Sequence, residues 1–232
     1  MISIVPPQAR HCESHGWLQT CFLFSFAGYS DPKNMGWGAL RVFNDDRILP
    51  GGIFPMHPHA EYEIATLVLE GEITHEDSMG NRRVVGAGGV QAMTAGTGVV
   101  HSEANRGSST LHSFQIWIKP AKKGLAPQYS QKLFGQKDWE GRLCMMASGS
   151  GKGGGARISA DAAIYRCALV KGEQVSHRAL PGRKLLLYVA KGEVGVNGKK
   201  AGEACQARIE GEGEISIKAA QDSDFVLIDC PG

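Results

Sequence analysis

The sequence predicts an all-β protein made of two antiparallel domains of barrel or jelly-roll type, with little helix. Three observations carry that expectation. Glycine supplies 31 of 232 residues, nearly twice its usual share of ~7%. Each glycine inside a helix costs roughly 1 kcal/mol against alanine, so the excess fits tight turns between short strands. The glycines have no three-residue period, which excludes collagen, and 42% hydrophobic residues exclude wholesale disorder. Finally, β-branched and aromatic runs alternate with Gly, Pro, Asn and Asp along most of the chain, the pattern of strands punctuated by turns.

In chain order, the first half offers strands at 17–29, 39–45, 64–77, 82–88 and 111–119. Ser78-Met79-Gly80-Asn81 supplies a hairpin turn between two of them. Residues 120–160 differ: Pro120, Pro127, Lys122-Lys123 and the GSGKGGG run at 149–155 read as a connector. That run lacks the GxxxxGK[ST] spacing of a phosphate loop. YSQKLFGQ at 129–136 is expected to form a short helix. Strands resume at 162–170, 184–198, 214–220 and 224–230.

The last third echoes the first half. LVLEGEITHEDSMGN (67–81) and LYVAKGEVGVNGKK (187–200) align on Gly71 and Gly192, an offset of 121 residues. Each reads as an apolar strand, a Gly-Glu step, a second strand and a polar turn. An internal duplication follows, with domains at 1–120 and 161–232 joined by 121–160.

Composition narrows the function. Net charge is +2, so no direct nucleic-acid binding is expected. Arg82-Arg83, Lys122-Lys123 and Lys199-Lys200 read as solvated turn or edge charge. The N-terminus has no apolar stretch of a signal peptide, and no run approaches the ~20 apolar residues of a membrane span. The expected setting is cytoplasmic, and the expected state a monomer. The six cysteines have no CxxC spacing and are expected to be free thiols.

The chemistry lies in HPHAEYE (57–63) and VVHSEAN (99–105). On a strand, alternate residues face one side, so His57 and His59 can reach one point. His101 and Glu103 share that spacing, and two strand runs with a tight turn can bring the pairs together. Three imidazoles and a carboxylate suit Fe(II), Mn(II), Co(II), Ni(II) or Zn(II). Four protein ligands leave about two open positions on an octahedral ion, which means chemistry rather than structure. Glu63 shares the parity of His57 and His59 and is a candidate for supporting the ligands, with Glu61 behind it. His11, His15, His75, His112 and His177 have no HxH partner and read as structural or surface residues, although His112 could line the same cavity.

These motifs resemble those of cupins. The first reads Gly51, then His57-Pro-His59 and Glu63; the second ends Gly98-Val-Val-His101 and Asn105. Gly71 closes the first motif one residue late, and Gly96 replaces the usual proline of the second. In these departures, and in YSDPKNMGWGALRVFNDD (29–46), VLEGEITHEDSMGN (68–81) and MTAGTGVVHSE (93–103), the chain resembles the pirin family of bicupins. The likeness extends more loosely through 160–232. It implies two cupin barrels and assigns the metal to His57, His59, His101 and Glu103, not to Glu63. Across the 121-residue offset, His57 and His59 fall on Arg178 and Leu180, so the second domain is expected to hold no such site.

The resemblance also implies an activity. Bacterial pirins often resemble quercetin 2,3-dioxygenases, which open a flavonol ring with O2. One divalent transition metal, Fe(II) first, would bind the substrate's deprotonated hydroxyl, with Glu103 accepting the proton. Phe54, Met56, Leu67, Leu69, Met93 and Phe114 are expected to line the cavity. The alternative is a metal-dependent regulator that acts through a protein partner, as a transcription cofactor or enzyme regulator.

Overall fold

A computed structural model describes residues 1–149, 151 and 153–232. The 149–155 run therefore lies partly outside the described residues, at Ser150 and Lys152. The chain begins with β1 (Ile2–Val5), β2 (His11–Ser14), β3 (Leu18–Phe22), β4 (Leu40–Ile48), β5 (Ile53–His59) and β6 (Glu63–Glu70). It continues with β7 (Glu72–Asp77), β8 (Arg82–Gly86), β9 (Gly89–Thr94), β10 (Val99–Ala104), β11 (Leu111–Ile118) and β12 (Gln128–Leu133). A one-turn helix, α1 (Gln136–Trp139), leads to β13 (Cys144–Ser148), β14 (Ala156–Arg157), β15 (Ala163–Leu169), β16 (Gln174–Arg178) and β17 (Arg183–Lys191). The chain ends with β18 (Glu193–Val196), β19 (Lys199–Gly202), β20 (Gln206–Glu210), β21 (Glu214–Ala219) and β22 (Ser223–Pro231).

These strands build two cupin-type units, each a seven-stranded sheet closed by a four-stranded one. The first has the orders β12-β9-β6-β11-β4-β3-β2 and β5-β10-β7-β8. The second has β1-β20-β17-β22-β15-β13-β14 and β16-β21-β18-β19. The repeat seen in the sequence is thus a repeat of topology. Gly71 and Gly192 mark it: both have positive φ, 72° and 80°, where a side chain is strained. A Cβ on Gly71 would stand 2.8 Å from Thr110 O, and one on Gly192 would overlap Asp222 O. These glycines also break the runs 64–77 and 184–198 into two strands each.

The structure corrects several expectations. Residues 129–136 are mostly strand: β12 pairs with β9 from Gln128 opposite Thr94 to Leu133 opposite Gly89. Sheet pairing overrides the local polar pattern, and the helix starts only at Gln136. The 17–29 run keeps its strand only to Phe22. Cys12 and Cys21 are disulfide-bonded, because β2 and β3 pair antiparallel with these two residues directly opposite. Cys144, Cys167, Cys205 and Cys230 are free thiols. β1 belongs by pairing to the second unit, where Ile2 faces Ile209; the division into 1–120, 121–160 and 161–232 is kept as a proposal about folding units.

The large sheets face each other across one apolar cluster. Phe43, Phe114 and Ile116 of the first meet Ile164, Leu186, Tyr188 and Ile228 of the second. That contact holds the units together and leaves each barrel's interior to its own residues. Among the described residues, no helix is long and apolar enough to cross a membrane.

Candidate metal centre

β5 and β10 pair antiparallel with His57 opposite His101 and His59 opposite Val99. Alternation then turns His57, His59 and His101 into the barrel. Their ring centroids lie 4.7 Å (His57 to His59), 4.5 Å (His57 to His101) and 4.9 Å (His59 to His101) apart. Each offers a nitrogen, and these nitrogens lie within 4.8 Å of one another. His57 Nδ1 sits 2.7 Å from Pro55 O, a carbonyl that can only accept, so Nδ1 donates to it and Nε2 is the nitrogen left for a ligand.

The imidazoles are suited to a cation. Burial, then the neighbouring rings, push His101 down to about 3 and His59 down to about 4. Both are neutral near pH 7, the state in which a histidine ligates. His101 Nε2 is buried without a hydrogen-bond partner, a costly arrangement unless something else satisfies it. These residues therefore fit a divalent metal.

Glu103 is placed differently. The register slips between His101 and Glu103 against β5, so it does not join the three imidazoles in one tight group. It lines the same cavity as His57 and His59, with its carboxylate turned to side chains. Gln91 Nε2 donates to Oε1, Thr66 Oγ1 donates to Oε1 at 3.3 Å, and Gln115 Nε2 donates to Oε2 at 2.9 Å. Glu63 faces away: its Oε2 accepts from Thr94 Oγ1 and the Ser159 N–H, both at 2.7 Å. It ties β6 to the segment before β15. Glu61, at φ 58°, caps the Gly124 N–H at 3.0 Å on the surface.

The space beside the imidazoles is small, about 80 Å³, walled by Phe26, Phe54, Ile48, Ile73 and Trp117 and floored by Asn44, Asp46, Ser113 and Gln115. Of the expected lining residues only Phe54 is there. Met56 is exposed, and Leu67, Met93 and Phe114 are buried in core clusters. An outer groove of about 440 Å³ runs along Pro58, His59, Ala60, Val99 and Val100. His59 borders both spaces.

Sequence reasoning missed His75. It is buried, and its Nδ1 lies 3.4 Å from His101 Nδ1. With His101 and Glu103 it forms a second cluster of potential ligands, but its two nitrogens are taken by His101 and Asp77. The signal was present as His75-x-Asp77, the same one-face spacing as HxH. His112 lines a different cavity and bonds Asp45 Oδ1 at 2.7 Å.

The pirin family model matches residues 6–118, and the model of the quercetinase C-terminal cupin domain matches 145–230. A quercetin 2,3-dioxygenase of Escherichia coli K12 is 43% identical over 232 residues, covering 100% of this chain and 99% of that protein. The chain belongs to the pirin family. A pirin-like protein of Caulobacter vibrioides is 43% identical over 93% of each chain. Among solved structures, the bacterial pirin YhhW from Escherichia coli in complex with nickel(II) superposes with a TM-score of 0.93 at 42% identity, over 100% of this chain and 99% of that one. Both barrels of this pirin thus have counterparts in its relatives.

Proposed function

We propose that this pirin holds one divalent transition metal on His57, His59 and His101, with Glu103 as the fourth ligand, and acts as a dioxygenase that opens a flavonol ring with O2. Fe(II) leads the candidates, followed by Mn(II), Co(II), Ni(II) and Zn(II). The observation that carries the reading is the convergence of three imidazoles beside a carboxylate, under aromatic walls. The Escherichia coli relative named quercetin 2,3-dioxygenase and the nickel-bound pirin support it.

When bound, the metal supplies Lewis acidity and, if redox-active, a route to O2 chemistry. The rest falls to the chain. Glu103 Oε1 or Oε2 takes the proton of the substrate hydroxyl, and Gln91, Thr66 and Gln115 hold that carboxylate in place until it turns. Phe26, Phe54 and Trp117 exclude water and offer ring faces to a planar substrate. A cavity of about 80 Å³ is well below the ~300 Å³ of ordinary ligand sites. A flavonol therefore inserts one edge and lays its remaining rings along the outer groove by His59, or the Phe26–Trp117 wall opens.

The test is O2 uptake with quercetin after loading metal-free protein with Fe(II), Mn(II), Co(II) or Ni(II). Turnover with at least one metal, abolished in His57→Ala, is the expected result. Its absence with all four removes the dioxygenase reading. The regulatory reading draws on Met56 and Val100, exposed on the strands that carry His57 and His101. A stoichiometric, metal-dependent protein partner without turnover would favour it.

A further inference from the structure

The hydrogen bonds behind the three imidazoles fix where each proton sits. His75 Nε2 lies 2.9 Å from Asp77 Oδ2. A carboxylate only accepts, so Nε2 of His75 is the protonated nitrogen, and in the neutral tautomer its Nδ1 is the acceptor. His75 Nδ1 lies 3.4 Å from His101 Nδ1, so His101 Nδ1 carries the proton and donates it. That leaves His101 Nε2 bare, and this is the buried atom with no partner. Asp77 is itself held by the N–H groups of Met79 at 2.9 Å and Asn81 at 3.0 Å, and by Asn81 Nδ2 at 2.9 Å. Tyr129 of β12 stacks on the His75 ring, centroids 4.7 Å apart and planes 28° from parallel. Neither His75 nor Asp77 can swing away: His75 is 1% exposed and the Asp77 side chain 0%.

We infer that His75 is a positioning residue for the metal centre: through Asp77 it sets the tautomer and ring angle of His101, so that His101 offers Nε2 to the metal. This rests on the reading of His57, His59 and His101 as ligands. A ligand histidine ordinarily gives its second N–H to a carboxylate or carbonyl, as His57 does to Pro55 O. His101 departs from that habit, because a second imidazole stands between it and the carboxylate. The order of donors is preserved while the Asp77 charge is kept one ring further from the ion. Asp77 then orients the chain without adding its full charge to the ligand field.

Two measurements test this. Nitrogen-15 NMR of histidine-labelled, metal-free protein reads tautomers directly. The expected result is His75 protonated at Nε2 and His101 at Nδ1; the opposite tautomer at either ring overturns the inference. Co(II) titrated into metal-free protein supplies the second readout. Wild type is expected to show a hyperfine-shifted, slowly exchanging His101 N–H, together with visible d–d bands. His75→Leu should lose the slow exchange, alter the bands and weaken Co(II) binding about 10- to 100-fold. His75→Gln, whose Oε1 can accept and Nε2 donate, should restore both. If His75→Leu binds Co(II) with wild-type affinity and the same exchangeable proton, the positioning role is wrong although the metal reading stands. If wild type itself binds no Co(II), the metal reading falls and the inference with it.

Discussion

The two barrels share a strand order and differ in what fills them. In the first, β10 points His101 and Glu103 inward, with Asp77 and His75 of β7 opposite them, all buried. In the second, the matching strands β21 and β18 point Ile215, Ile217, Val194 and Val196 inward, each 0% exposed. His57 faces His101 across β5 and β10, whereas His177 faces Ile215 across β16 and β21. His177 is tied to Asp229 at 2.8 Å, and Arg183 binds the same carboxylate at 2.6 Å. One barrel places buried polar groups around a candidate cation site, at a cost in stability. Its twin uses that interior for hydrocarbon, which stabilises the fold. A duplicated scaffold can thus separate chemistry from stability.

The largest expected effect lies in the hydrocarbon barrel. Ile217→Ala removes a fully buried side chain among Ile215, Val194 and Val196. It should cost about 2–5 kcal/mol, read as a lower urea midpoint, and leave Co(II) affinity unchanged. A loss of metal affinity greater than the loss of stability explains would mean that the second barrel shapes the site.

Next come the paired turns. Gly71→Ala and Gly192→Ala each put a Cβ against backbone at positive φ. Each should cost upwards of about 1 kcal/mol, and by similar amounts if the two turns are structural equivalents. Tolerance at one and collapse at the other would break the equivalence on which the comparison of the barrels rests.

Much of this contrast was legible in the sequence. Gly71 and Gly192 located the repeat because a positive-φ turn leaves a residue-specific mark. The HxH and HxE pairs located three converging imidazoles because strand alternation is rigid. What stayed hidden depends on tertiary pairing. Nothing local says that Gln128–Leu133 lies beside β9, yet that pairing puts Tyr129 on His75. The Cys12–Cys21 bond needs the β2–β3 register, and Cys12 lies outside the run read as strand. Glu63 shares parity with the histidines, but Ser159, far along the chain, draws its carboxylate away.

Glu63 gives the smallest and sharpest test, since it separates a strut between the units from a part of the metal site. Burial raises its pKa, and the hydrogen bonds from the Ser159 N–H and Thr94 only partly offset that. Its other oxygen, Oε1, is buried without a partner. The folded state thus holds the proton more tightly than the unfolded chain does. The favourable contribution is complete below the unfolded value of ~4.3 and is lost as pH rises through the folded pKa. Glu63→Gln keeps an acceptor for Ser159 and Thr94 without the charge. Relative to this variant, wild type should lose stability between about pH 4 and pH 7. At pH 7 the variant should be equal or more stable, by no more than about 1 kcal/mol. Its Co(II) affinity should match wild type. Urea unfolding at both pH values measures the first two expectations. If wild type instead gains on Glu63→Gln as pH rises, the carboxylate is held charged; if Co(II) affinity falls, Glu63 belongs to the metal site after all.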